Sequence, residues 1–220
     1  MKAIVFDLDG TLIDSAPDIH QAANRMLATL NLEPLDLATI TSFIGNGLPK
    51  LVERVMRTRN INEGRHAELT QVTLDFYNQA SSDLTVPYPN MVAALEAFAE
   101  AGYVMGVCTN KPVAPAIDIL EALDMMKFFK VVIGGDSLPV KKPDPAPLQK
   151  CFDDLGATER LYVGDSEVDA ATADRAGIDF ALFTEGYRKV PVEELPYLSK
   201  FDDFAALPGI AEDAFRAVTA

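Results

Sequence analysis

AIVFDLDGTL, residues 3–12, runs from four apolar residues straight into two aspartates two positions apart. In a strand, residues i and i+2 point to the same face. Asp7 and Asp9 are therefore expected to leave a buried strand side by side, where like charges repel. A metal ion and a lysine close by make such a pair tolerable.

Strand one, residues 2–8, needs partners, and the second half of the chain supplies them. YVMGVCTN (103–110), KVVIGG (130–135), LYVGDS (161–166) and FALFTEG (180–186) read as strands. Helical patterns near 90–101, 112–123, 145–155 and 168–176 separate them. Continuous apolar strands alternating with helices indicate a parallel sheet covered on both faces. Residues 15–84 differ. Ile19, Ala22, Ala23, Met26, Leu27 and Leu30 form an amphipathic stripe, with Ser15 as expected N-cap and Pro17 in the first turn. Leu48, Leu51, Val52, Val55 and Met56 repeat it, and Leu69, Val72 and Phe76 carry it onto a third helix. No strand is expected there, and VPYP (86–89) reads as a stiff extended connector. The expected architecture is α/β: a Rossmann-like parallel sheet with helices on both faces. An all-helical segment, residues 15–84, is inserted after the first strand, between core segments 1–14 and 85–220.

Composition narrows the function. The net charge of −14 opposes binding to nucleic acid or an anionic membrane. A small anionic substrate still fits, because a local cluster can oppose the global field. The two cysteines, Cys108 and Cys151, lack metal-ligand spacing, and a reduced compartment suits them. No apolar stretch approaches the roughly 20 residues of a membrane span. The first apolar run is short and ends in acids, unlike a secretory signal. A cytoplasmic protein, monomer or homodimer, is expected.

In open parallel sheets, ligands bind beyond the carboxyl ends of the strands. Four strands deliver polar residues to that edge: Asp7 and Asp9; Thr109 and Asn110; Asp136 and Ser137, followed by KKPDP; and Asp165, Ser166 and Asp169. The acids make an oxygen-rich cup suited to Mg²⁺. Thr109, Asn110 and a lysine are natural donors to phosphate oxygens. One carboxylate can act as nucleophile, and a neighbouring acid can move the proton. The two histidines, His20 and His66, both fall in the helical segment.

DLDGTL (7–12), the strand ending in Thr109-Asn110, Lys142 in KKPDP and GDSEVD (164–169) resemble, in order and spacing, the motifs of the haloacid dehalogenase superfamily of phosphohydrolases. FIGNGLPKLVERV (43–55), GGDSLPVKKPDPAPL (134–148) and GYRKVPVEEL (186–195) resemble its phosphoglycolate phosphatases. The resemblance implies a Mg²⁺-dependent hydrolysis of a small phosphate ester, 2-phosphoglycolate foremost, through an aspartyl-phosphate. It implies Asp7 as nucleophile and metal ligand. Asp9 would be general acid/base, giving its backbone carbonyl to the metal, and Asp165 a further ligand. Thr109 and Asn110 would bind the phosphoryl group, with Gly10 and Thr11 turning the chain beneath it, and Lys142 would neutralise charge. Asp169 and Ser166 would support the site from behind, and residues 15–84 would form a closing helical cap. Lys50, Arg54 and Arg188 are candidates to read the substrate's carboxylate.

Other readings share parts of this pattern. A phosphohexomutase or a pyrophosphatase of the same superfamily would carry the same core motifs. A receiver domain is far shorter, and its lysine follows the last acidic strand. No G-x-G-x-x-G follows the first strand, and no G-x-x-x-x-G-K-[ST] occurs.

Overall fold

The computed structural model describes residues 1–80 and 82–217. Strand β1 (Lys2–Phe6) lies inside a six-stranded sheet. Two short strands, β2 (Ile13–Asp14) and β3 (Val86–Pro87), pair antiparallel outside it. The other members are β4 (Val104–Cys108), β5 (Phe129–Ile133), β6 (Glu159–Gly164), β7 (Asp179–Phe183) and β8 (Ser199–Phe201). Their order is β5-β4-β1-β6-β7-β8, and every pairing is parallel. The chain thus winds away from β1 on one side, then returns to build on the other.

Helices cover both faces, and β1 shows why its residues are apolar throughout. Ile4 and Phe6 enter one core, with Leu95 and Phe98 of α5 (Met91–Glu100), Ile119 of α6 (Val113–Ala122) and Phe215 of α9 (Leu207–Ala217). Ala3 and Val5 enter the other, with Leu148 and Phe152 of α7 (Ala146–Asp154) and Ala170 and Ala173 of α8 (Glu167–Ala176). A strand buried on both sides cannot alternate with polar residues. Cys108 and Cys151 are buried and free.

Between β2 and β3 lie α1 (Ala16–Thr29), α2 (Leu37–Thr41), α3 (Leu48–Thr58) and α4 (His66–Asn78). Helix α1 packs on α2 and α4, and α3 packs on α4. The apolar stripe of α1 is buried as its spacing dictates. Among the described residues, no helix is long and apolar enough to cross a membrane.

Several local expectations change. The first strand stops at Phe6 rather than residue 8, because the Leu8 carbonyl turns to accept from the amides of Thr11, Leu12 and Ile13. The last predicted strand ends at Phe183, not 186. VPYP is no free connector, since its first two residues form β3. Ser15 does not cap α1. Its backbone is helical rather than extended, and its hydroxyl donates to Asp9 Oδ1 at 2.5 Å. The amides of Ser15 and Ala16 donate instead to Tyr187 Oη, at 2.8 and 2.9 Å. Elements α2, β8 and α9 lie outside the sequence expectation.

Candidate active site

The sheet register brings the predicted acids together. Phe6 pairs with Val107 on β4 and Val163 on β6, so Asp7 stands at the carboxyl edge between those strand ends. Its amide donates to the Val163 carbonyl at 2.9 Å. Thr109 is one residue beyond β4 and Asp165 one beyond β6.

Lys142, buried in the loop between β5 and α7, ties two of the acids. Its Nζ lies 2.8 Å from Asp7 Oδ1 and 2.6 Å from Asp169 Oδ1. It also donates to Tyr162 Oη at 2.9 Å, and that hydroxyl donates to Asp169 Oδ1 at 2.7 Å. Ser166, at the N-cap of α8, donates its hydroxyl and amide to Asp169 Oδ2, at 2.6 and 3.1 Å. This capping box fixes Asp169 behind the site. Burial pushes the Asp169 carboxyl up, but attraction to Lys142 and hydrogen bonds from Lys142, Ser166 and Tyr162 hold it below the usual range.

Asp165 receives Thr11 Oγ1 at 2.8 Å and the Tyr187 amide at 2.6 Å. Gly10, at φ +88°, lies against it, and a Cβ there would come within 2.7 Å of Asp165 Oδ2. The Thr11 hydroxyl is thus turned onto Asp165. Burial, then repulsion from Asp169 and Asp7, raises the Asp165 carboxyl well above normal. Asp7 is raised to about 7 by burial and Asp169, with Lys142 pulling the other way.

Asp9 faces a cation that the spacing did not reveal. Lys111 Nζ lies 2.9 and 3.0 Å from its two oxygens. Both side chains line a cavity of about 60 Å³ that also touches Asp7 and Thr109, with Leu51 of α3 and Tyr77 of α4 on the far wall. Burial opposes the charge on Lys111, yet Asp9 outweighs it and raises the ammonium above its ordinary value. The signal in the sequence was a lysine directly after Thr109-Asn110.

The remaining candidates divide. Thr109 lines the cavity, and its hydroxyl accepts from the Lys111 amide at 3.2 Å. Asn110 also lines it, but its side-chain N–H groups go to the carbonyls of Gly45 and Lys142, both at 3.1 Å. It braces two loops here. Lys50 pairs with Glu53 at 2.7 Å, Arg54 bonds the Phe43 carbonyl and Asn46, and Arg188 bonds the Thr184 carbonyl. None of these three lines the cavity.

The loop between α2 and α3 is held from the sheet side. Lys189 donates to the Ile44 carbonyl, Asn110 to that of Gly45, and Lys141 to that of Asn46 at 3.0 Å.

Four carboxylates, Asp7, Asp9, Asp165 and Asp169, face two ammonium groups, Lys111 and Lys142. With all four ionised, the surplus is two negative charges, which one divalent cation would neutralise. Oxygens of Asp7, Asp165 and Asp169 lie within 4.8 Å of one another. Those of Asp169 are saturated by protein donors. Asp7 Oδ1 is sealed from water and receives no aligned hydrogen bond, only the Lys142 ammonium beside it. Asp7 and Asp165 are thus the carboxylates fit to hold a hard cation.

Residues 4–183 match the haloacid dehalogenase-like hydrolases. The chain belongs to that family. A phosphoglycolate phosphatase of Cereibacter sphaeroides is 48% identical over 212 residues, covering 96% of this chain and 97% of its own. One of Rhodobacter capsulatus is 43% identical over 211 residues, covering 96% of each. Among solved structures, a "predicted phosphoglycolate phosphatase" of Haemophilus somnus superposes with a TM-score of 0.90 at 32% identity. That match covers 96% of this chain and 97% of the other. In this haloacid dehalogenase-like hydrolase, the paired aspartates that open the site sit at the end of the strand beside the β5-to-β6 crossover, where open α/β sheets bind ligands.

Proposed function

We propose that the protein is a Mg²⁺-dependent phosphatase that converts 2-phosphoglycolate to glycolate and phosphate through an aspartyl-phosphate on Asp7. One observation carries the chemistry: Asp7 and Asp9 open into the same small cavity, with Lys142 beside the first and Lys111 beside the second. The names of the relatives support the substrate.

The Asp7 carboxylate attacks phosphorus in line. Lys142 favours its ionised form and faces the charge that develops on the phosphoryl oxygens. As the ester P–O bond breaks, Asp9 gives a proton to the departing oxygen. Asp9 then takes a proton from water, which attacks the aspartyl-phosphate and frees Asp7. The Thr109 hydroxyl, on the cavity wall, steadies the phosphoryl group. Asp7, Asp165 and the Asp9 backbone carbonyl would hold Mg²⁺, which when bound supplies positive charge to the transferring phosphoryl group. Asp169 does not touch the substrate. It sets the position of Lys142. Residues 15–84 act as a cap that excludes water, with α3 and α4 forming the cavity's roof.

The test is Mg²⁺-dependent phosphate release, as kcat/KM, across a panel of small esters including 2-phosphoglycolate and β-glucose 1-phosphate. A value for 2-phosphoglycolate well above the others is expected. Flat, weak release across the panel would overturn the substrate, and no release from any ester would overturn the phosphatase.

A further inference from the structure

Among the described residues, Lys111 is the cation that lines the cavity. Its side chain is 6% exposed and has Asp9 as its anionic partner. Its Nζ also sits 4.7 Å from the centre of the Tyr77 ring, which hangs from α4 on the opposite wall. Tyr77 Oη is buried, and the polar group beside it is the Lys111 ammonium, with no aligned hydrogen bond to any other group. An ammonium and a buried hydroxyl thus meet on the cavity wall. The rest of the far wall is apolar: Ile19, Leu48, Leu51 and Leu74.

Lys111 has a second constraint. It grips both oxygens of Asp9, the group assigned to pass the proton. A carboxylate held bidentately by an ammonium is poorly placed to reach a leaving oxygen. Something must draw Lys111 aside, and an anion entering beside it would do so.

We propose that Lys111 is the specificity-determining residue, assisted by Tyr77: it leaves Asp9 to bind a carboxylate on the substrate, and so couples recognition of that carboxylate to release of Asp9. This deepens the phosphatase reading and rests on it. The favoured substrates are short phosphate monoesters with a carboxylate one or two carbons from the ester oxygen. A neutral ester of equal size leaves Lys111 on Asp9. It therefore loses both the ion pair and the freed proton carrier, so discrimination appears in kcat as well as KM.

The experiment compares 2-phosphoglycolate with ethyl phosphate, in which a methyl replaces the carboxylate, on the full-length enzyme with Mg²⁺. Lys111→Met keeps the apolar stem. It is expected to lower kcat/KM for 2-phosphoglycolate about 100-fold more than for ethyl phosphate. Lys111→Arg should recover part of that preference, and Tyr77→Phe should reduce it about tenfold. Glycolate should inhibit the wild type competitively where ethanol does not, a readout that needs no variant to fold. Equal-fold losses on both esters would overturn the proposal, because a lysine that merely positions Asp9 harms both alike. Failure of glycolate to inhibit would count against it too. Hydrolysis of neither ester by the wild type would overturn 2-phosphoglycolate as the substrate, and this proposal with it. Active wild type with an unchanged ratio in Lys111→Met would sink only this one.

Discussion

Asp169 uses each carboxylate oxygen twice: Oδ1 accepts from Lys142 and Tyr162, and Oδ2 from the hydroxyl and amide of Ser166. Asparagine keeps one such oxygen and turns an NH₂ toward donors on the other side. Asp169→Asn should therefore leave the Lys142 charge buried and half-paired. We expect a loss of about 2–4 kcal/mol, read as a lower urea midpoint at unchanged slope. Activity should fall about 10–100-fold as Lys142 loosens. A wild-type midpoint in the variant would show that the pair does not anchor the site. At this scale most of the site was legible in the sequence. Asp7, Thr109, Asp165 and Asp169 follow apolar strands or open the next helix, and a parallel sheet sends all such ends to one edge. Lys111 was not legible. It follows a turn in which the chain lies directly on Gly134 and Gly135, and no spacing rule says which way residue 111 then points.

The strands β2 and β3 zip together the entry to and exit from the helical unit, and Asp18 of α1 pins the exit. Its carboxylate, buried, accepts from the amides of Leu84 and Thr85 and from the Thr85 hydroxyl, the last at 2.6 Å. Asp18→Ala removes that acceptor from three donors. The expected cost is about 2–3 kcal/mol, which in a chain of this size lowers Tm by about 5–10 °C. Calorimetry showing no shift would mean that water replaces the carboxylate without loss. Long elements were legible because period and burial agree in them, as on β1 and α1. Short ones were not. β2 and β3 have two residues each, too few for any period, and they exist only because the chain ends meet. β8 is three residues with an exposed lysine in the middle. Helix α9 had a stripe to read: Leu207, Ala211, Ala214 and Phe215 all enter the core. The Pro208 and Gly209 inside its first turn obscure that stripe.

Across the whole molecule, the site's surplus of negative charge sets how stability responds to pH. Burial and Asp169 raise Asp7 to about 7, from 3.8 in an ordinary setting. Between those values the folded chain holds a proton that the unfolded chain has released. Stability of the metal-free protein should therefore fall as pH rises from about 4 to 7, and level off above. Asp165 shifts in the same direction. Added Mg²⁺ competes with that proton, so it should raise Tm more at pH 8 than at pH 5. Equal gains at both pH values, by differential scanning fluorimetry, would remove Asp7 from the cation's ligands. The loop between α2 and α3 carries a different kind of consequence. Lys189, Asn110 and Lys141 seize it by the main-chain oxygens of residues 44–46, and a main-chain oxygen is the same whatever side chain stands above it. The code for that docking is written in the sheet domain alone. Side chains on that loop answer to other partners, Ile44 to the core and Asn46 to Arg54, so a change in either is felt within the helical side first, while the handholds on the main chain keep their chemistry.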